Sequence, residues 1–174
     1  MIEGKRYTFG VSGLLYKRNL LMFDRETDSL WSQLLARAVT GPLAGTSLRI
    51  LPAENTTWGE WKKFNPQTLV ISFVTGYARN YREDPYADYP LPRHPALLVV
   101  AGSAAKIFPF AELRKLTGTL RTEVGGLPLA VEFDRPTETA RVKGAPGVTV
   151  THLVASLADL KAFHPEAGIY KHSH

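Results

Sequence analysis

Two stretches of this chain repeat each other without a gap, and that repetition constrains the fold more than any other feature. TWGEWKKFNPQTLVI (Thr57 to Ile71) matches SLADLKAFHPEAGIY (Ser156 to Tyr170) at a constant separation of 99 residues. Trp58 aligns with Leu157, Trp61 with Leu160, Lys62 with Lys161, Phe64 with Phe163 and Pro66 with Pro165. Each stretch opens with a hydroxyl followed three residues later by a carboxylate, Thr57 with Glu60 and Ser156 with Asp159. In such a capping box the hydroxyl accepts from the N3 amide while the carboxylate reaches back to the first amide. The apolar spacing gives each segment one buried face, and the proline bars the helix from continuing. Two short helices, each leading into a strand, are predicted. Trp58 and Trp61 are expected in the core, because leucines replace them in the other copy.

A second motif also occurs twice. Phe23-Asp24-Arg25-x-Thr27 returns as Phe133-Asp134-Arg135-x-Thr137, 110 residues later, and VSGLL (Val11 to Leu15) resembles VGGLPL (Val124 to Leu129) upstream of it. The order Val-x-Gly-Leu, Phe-Asp-Arg-x-Thr, capped helix and proline reads as an internal duplication. The extra material of the first copy is assigned to QLLARAVTGPLAGTSLRI (Gln33 to Ile50). RYTFGVSGLL, LLMF, TSLRIL, TLVISFV, ALLVVAG, AKIFPF, PLAVEF and VTVTHLV are short, rich in Val, Leu and aromatics, and bounded by turn residues, so they read as strands. PFAELRKL suits a third short helix with Pro109 in its first turn. The predicted fold is α+β and β-rich: two related, pseudo-symmetric units of mainly antiparallel strands with short capped helices, packed as one domain. Residues 1–74 form the first unit, 75–95 a connecting loop and 96–174 the second.

Composition narrows the function classes. With 44% hydrophobic and 21% charged residues over 174 positions, the chain is an ordinary globular one. No apolar run approaches the roughly 18 residues that cross a bilayer. The opening MIEGKRYTFG carries charges where a signal peptide needs its apolar stretch, which makes the chain cytoplasmic as written, or the mature or trimmed form of a longer one. There is no cysteine, which excludes disulfides, thiolate metal sites and cysteine nucleophiles. The net charge of +5 is spread over pairs such as Lys17 with Arg18, Lys62 with Lys63 and Arg114 with Lys115. Unclustered charge of this kind argues for solvated surface and against nucleic acid as a partner.

The chemistry-bearing candidates are few. Ser12 in GVSGL lacks the Gly-x-Ser-x-Gly spacing of a nucleophile elbow, and Gly10 and Gly13 read as tight-turn residues. The histidines, including the C-terminal KHSH, meet no acidic neighbour in sequence, so no metal site is predicted, and no phosphate-binding glycine loop or other cofactor motif is present. In DRETDSLWSQ, Arg25, Thr27, Ser29, Trp31 and Gln33 alternate and on a strand would share one face. Arg25 and Thr27 have counterparts in the second copy, whereas Ser29, Trp31 and Gln33 differ from Thr139, Arg141 and Lys143 and are the better binding candidates. Segment 75–95 holds four tyrosines among arginines and prolines, and loops of that length are usually functional or linkers. Tyr77 and Arg79 are its candidate ligand contacts.

FGVSGLLYKRNLLMFDRETDSLWSQ, GPLAGTSLRILP, TWGEWKKFNPQTLVIS and TGYARNYREDPY closely resemble the bacterial and archaeal family called domain of unknown function 3179, and AKIFPFAELRK with VGGLPLAVEF looks like that family's other unit. The resemblance covers nearly the whole chain and implies a fold but no mechanism. It also implies a Cys-Pro-Leu-Cys motif, in whose place stand Asp134, Arg135, Pro136 and Thr137. The expected function is a binding or structural module for a small polar or anionic ligand, contacted by Arg25, Ser29, Trp31, Gln33, Tyr77 and Arg79. The alternative is an enzyme, such as a hydrolase, with a pocket between the units. Trp31→Ala is expected to abolish ligand-induced stabilisation while leaving the fold intact.

Overall fold

The computed structural model describes residues 2, 4–51, 53, 56–71, 94–145 and 150–173. The chain opens with an antiparallel meander of β1 (Phe9–Tyr16), β2 (Asn19–Asp24), β3 (Leu30–Ser32) and β4 (Arg37–Thr40), paired in sequence order. The β1–β2 turn is made by Lys17 and Arg18, both at positive φ (47° and 66°), the twist that a two-residue hairpin requires. Gly13 (φ 73°) lies within β1 where the register slips between Val11 and Leu15. Its role is that of a bulge residue, not of the tight turn expected. Gly10 pairs with Phe23, and an added Cβ would stand 2.5 Å from that ring. It is kept small by close approach, which also corrects the turn assignment.

Helix α1 (Trp58–Phe64) follows, then the hairpin of β5 (Pro95–Ala101) and β6 (Ala104–Pro109), and the single turn α2 (Phe110–Leu113). Next comes a second antiparallel meander of β7 (Leu120–Val124), β8 (Leu127–Asp134) and β9 (Thr139–Gly144). The chain closes with β10 (Thr151–Ser156), α3 (Leu157–Phe163) and β11 (Gly168–Ile169). β10 adds antiparallel to the free edge of β5, and β11 adds parallel to β6. The architecture is β-rich with antiparallel sheets and few short helices, as the sequence leads one to expect.

β5 reads as a continuous apolar run because both of its faces are covered. Leu97 and Val99 point with Phe108 toward Leu129 and Val131 of the second meander and toward Phe110 and Leu113. Ala96 and Leu98 point the other way with Ile107, onto Leu160 of α3. The first meander meets α3 and its C-terminal turn. Tyr16 packs edge-on to Phe163 at 5.6 Å, the Lys17 ammonium donates to Ala162 O at 2.6 Å, and His164 Nε2 donates to Leu34 O at 3.3 Å.

The hydroxyl half of each predicted capping box forms, while the carboxylates turn elsewhere, Glu60 to Lys63 and Asp159 to the Ser156 hydroxyl at 2.6 Å. Thr57 Oγ1 accepts from the Glu60 amide at 3.3 Å and Ser156 Oγ from the Asp159 amide at 3.1 Å. The helices end alike, at Asn65 (φ −129°, ψ 64°) and His164 (φ −128°, ψ 65°). Their burial differs. Leu160 is sealed against the β5–β6 sheet, whereas Trp58 is 49% exposed, Trp61 40% and Phe64 72%. The expectation that both tryptophans are core residues is therefore wrong, since a shared local pattern sets a helix and not the surface it lands on. TSLRIL, expected as a strand, makes one bridge only, Ser47 to Arg37, and Thr68 to Ile71 contain no strand.

Candidate functional site

Phe-Asp-Arg-x-Thr builds the same device in both places: the loop that joins two antiparallel strands. Asp24 closes β2, and its Oδ1 accepts from the Thr27 amide at 2.7 Å and the Thr27 hydroxyl at 2.8 Å. Asp134 closes β8 and accepts from the Thr137 hydroxyl at 2.5 Å. Each loop then passes one residue through positive φ, Asp28 (54°) and Glu138 (51°), the left-handed step of a longer hairpin loop. An aspartate that ties its own loop explains why the motif recurs without any shared chemistry.

Around Asp24 the device is extended inward. The Trp31 indole N–H donates to Asp24 Oδ2 at 2.8 Å. Ser29 Oγ lies 2.7 Å from the Thr27 hydroxyl and accepts from the Leu43 amide at 3.1 Å. Asp24 and Ser29 are wholly buried and Trp31 is 2% exposed. Burial pushes the Asp24 carboxyl up, but the hydrogen bonds from the Trp31 indole, the Thr27 hydroxyl and the Thr27 and Glu26 amides outweigh it, so its pKa lies below the ordinary carboxylate value. An ionised carboxylate ringed by its own donors holds the meander together.

This network separates the expected ligand contacts. They do not share a strand face, because residues 25–28 turn and β3 begins only at Leu30. Arg25 is exposed, with its guanidinium over the Phe23 ring at 5.6 Å. Ser29 is sealed within the loop. Trp31 and Gln33 do come together, in a cleft of about 250 Å³ whose walls include Phe9, Met22, Leu48 and Ile50. Phe9 meets Trp31 edge-on at 5.5 Å. Tyr77 and Arg79 lie outside the described residues. Because the Trp31 ring is core as well as wall, Trp31→Ala removes structure, which corrects the expectation that it would leave the fold intact.

Sequence reasoning missed Arg49, which also lines this cleft. Leu48-Arg49-Ile50 alternates like a strand, and the structure uses it as a strap, held by the Leu48 amide donating to Ala36 O at 2.7 Å. Ser12, His152 and His172 each have a structural contact. Ser12 Oγ donates to Leu21 O at 2.6 Å and accepts from the Leu14 amide at 3.1 Å, which secures the β1 bulge. His152 Nδ1 donates to Val150 O at 3.2 Å, and His172 Nδ1 sits 3.2 Å from the Tyr170 hydroxyl.

Comparison with known families reaches the same group that the motifs resemble. The family model described as "Protein of unknown function (DUF3179)" matches residues 1–165. The chain belongs to this family. No curated protein and no solved structure matches the chain. Among the described residues no helix is long and apolar enough to cross a membrane.

Proposed function

We propose that this DUF3179 chain is a binding module for a small anionic ligand with an apolar body, held in the cleft of Trp31, Gln33 and Arg49. The observation that carries the reading is the cleft's composition: apolar walls from Phe9, Met22, Leu48 and Ile50, with Gln33 and Arg49 among the residues that line it. Binding sites for small molecules have this make-up, a greasy interior with a few polar groups that set orientation, and a guanidinium suits a carboxylate in a two-pronged contact. The cleft's about 250 Å³ lies just below the usual range of roughly 300–1,000 Å³, which favours a compact acid. An enzymatic reading draws on less, because Asp24 is enclosed by its own donors and the Ser12 hydroxyl is committed to Leu21 O.

The module is proposed to consist of two units related by duplication, residues 1–74 and 96–174. The matched hairpin loops at Asp24 and Asp134 and the matched helix caps at Thr57 and Ser156 support this. The functional reading is tested by thermal melting with hexanoate and benzoate. Either acid should raise the melting temperature in a saturable way, and Arg49→Ala and Gln33→Ala should each cut that shift. No shift with either acid, or a shift untouched by both substitutions, would overturn it.

A further inference from the structure

A second cleft, of about 350 Å³, opens between α1 and the β8–β9 hairpin, well apart in sequence from the Trp31 cleft. Its α1 side presents two aromatic side chains, Phe64, which is largely open to solvent, and Trp61, which is partly so. Its sheet side presents Glu132, Arg141 and Lys143. Arg141 and Lys143 occupy the places that Trp31 and Gln33 hold in the first hairpin, so a sealed apolar position there has become a polar wall here.

The chemistry of this wall selects its ligand. Glu60 and Glu132 balance Arg141 and Lys143 in formal charge. They are also paired: Lys143 with Glu132 at 2.7 Å and Lys63 with Glu60. A lone anion or cation entering the cleft would have to compete with these pairs, whereas a neutral molecule bearing hydroxyls can donate to the carboxylates and accept from the cations without breaking them. Trp61 has its indole N–H committed to Thr68 Oγ1 at 2.9 Å. The ring is thereby fixed and offers its face. Phe64 already carries the Arg141 guanidinium at 5.8 Å, which leaves Trp61 as the stacking platform. Thr56 closes one end of the wall, with its hydroxyl turned away from solvent.

We infer that this cleft is a binding site for a neutral saccharide, one sugar ring stacking on Trp61 while its hydroxyls meet Glu132 and Lys143. Maltotriose, cellotriose and triacetylchitotriose are the probes, followed by tryptophan fluorescence in a Trp58→Phe background, where Trp31 is buried and Trp61 reports. At least one trisaccharide should give a saturable change. Trp61→Ala should remove that change, and binding by calorimetry should weaken about tenfold or more. Saturating hexanoate should leave the saccharide titration unchanged, which separates this cleft from the Trp31 cleft. No saturable response to any of the three sugars would overturn the inference, as would calorimetric binding that survives Trp61→Ala in a protein with native circular dichroism. A response to adenosine monophosphate equal to or above that to the sugars would assign the ring to a nucleobase and overturn it as well.

Discussion

The Trp31 indole donates its N–H to Asp24 Oδ2 at 2.8 Å, so the largest buried side chain of the first meander is hydrogen-bonded to a carboxylate that is itself fully buried. The bond ties the end of β2 to β3 from inside the sheet. Trp31→Phe keeps a ring in place and removes the donor, leaving Oδ2 with the Thr27 hydroxyl at 3.0 Å. Hydrogen bonds to charged groups contribute about 1.5–3 kcal/mol. A loss of that order is expected in urea unfolding of Trp31→Phe. Trp31→Ala, which also opens a cavity, should cost about 3–5 kcal/mol.

Asp24 should also mark the acid limb of stability. Its folded pKa is lowered, so its hydrogen bonds contribute stability that is present above the unfolded carboxyl value, near 4, and lost as pH falls through the folded value. Melting temperature is therefore expected to fall steeply below about pH 4. Asp24→Asn should start lower, because its amide offers one acceptor where the carboxylate has two, and should show a shallower acid limb. Equal acid slopes for the two proteins would show that Asp24 does not titrate with unfolding.

Much of this was legible in the residues. The caps at Thr57 and Ser156 and the strands β1, β2, β5, β6, β8 and β10 depend on neighbours within a few positions. What failed depends on distant partners. Arg25 to Gln33 alternates like a strand face, yet Asp24 folds the segment into a loop before the alternation can express itself, and the same Asp-x-x-Thr spacing at Asp134 was the available signal. Trp61 and Leu160 share one helical pattern, but only α3 has the β5–β6 sheet beneath it. The Leu48–Ile50 segment has a strand's alternation and becomes a strap that walls the Trp31 cleft. The choice is made by the Leu48 bond to Ala36 O, which no local pattern announces.

Gly41 should be intolerant of any side chain. It sits at φ 88°, and a Cβ there would lie 2.7 Å from Ser29 Cα and 2.8 Å from Ser29 Oγ. Both the backbone conformation and the contact oppose substitution. Gly41→Ala is expected to cost about 1–3 kcal/mol, and to disturb the Leu43 amide bond to Ser29 Oγ. Amide hydrogen exchange should show Leu43 losing protection before the β5–β6 sheet does. Unchanged stability would mean that the 41–43 turn moves freely away from Ser29.

The two capped helices offer a test of how far alike sequences carry alike energies. Leu160 is fully buried between α3 and the sheet, and Leu160→Ala should cost about 2–5 kcal/mol, the transfer term plus the cavity left behind. Trp61, its aligned partner, is 40% exposed and gives up one surface hydrogen bond, to Thr68. Trp61→Ala should cost about 1 kcal/mol or less, despite the larger side chain removed. Chemical denaturation of both variants and of the double mutant decides the matter. Additive losses are expected for residues on separate helices without shared partners. A Trp61→Ala loss as large as that of Leu160→Ala would show that α1 is packed as firmly as α3.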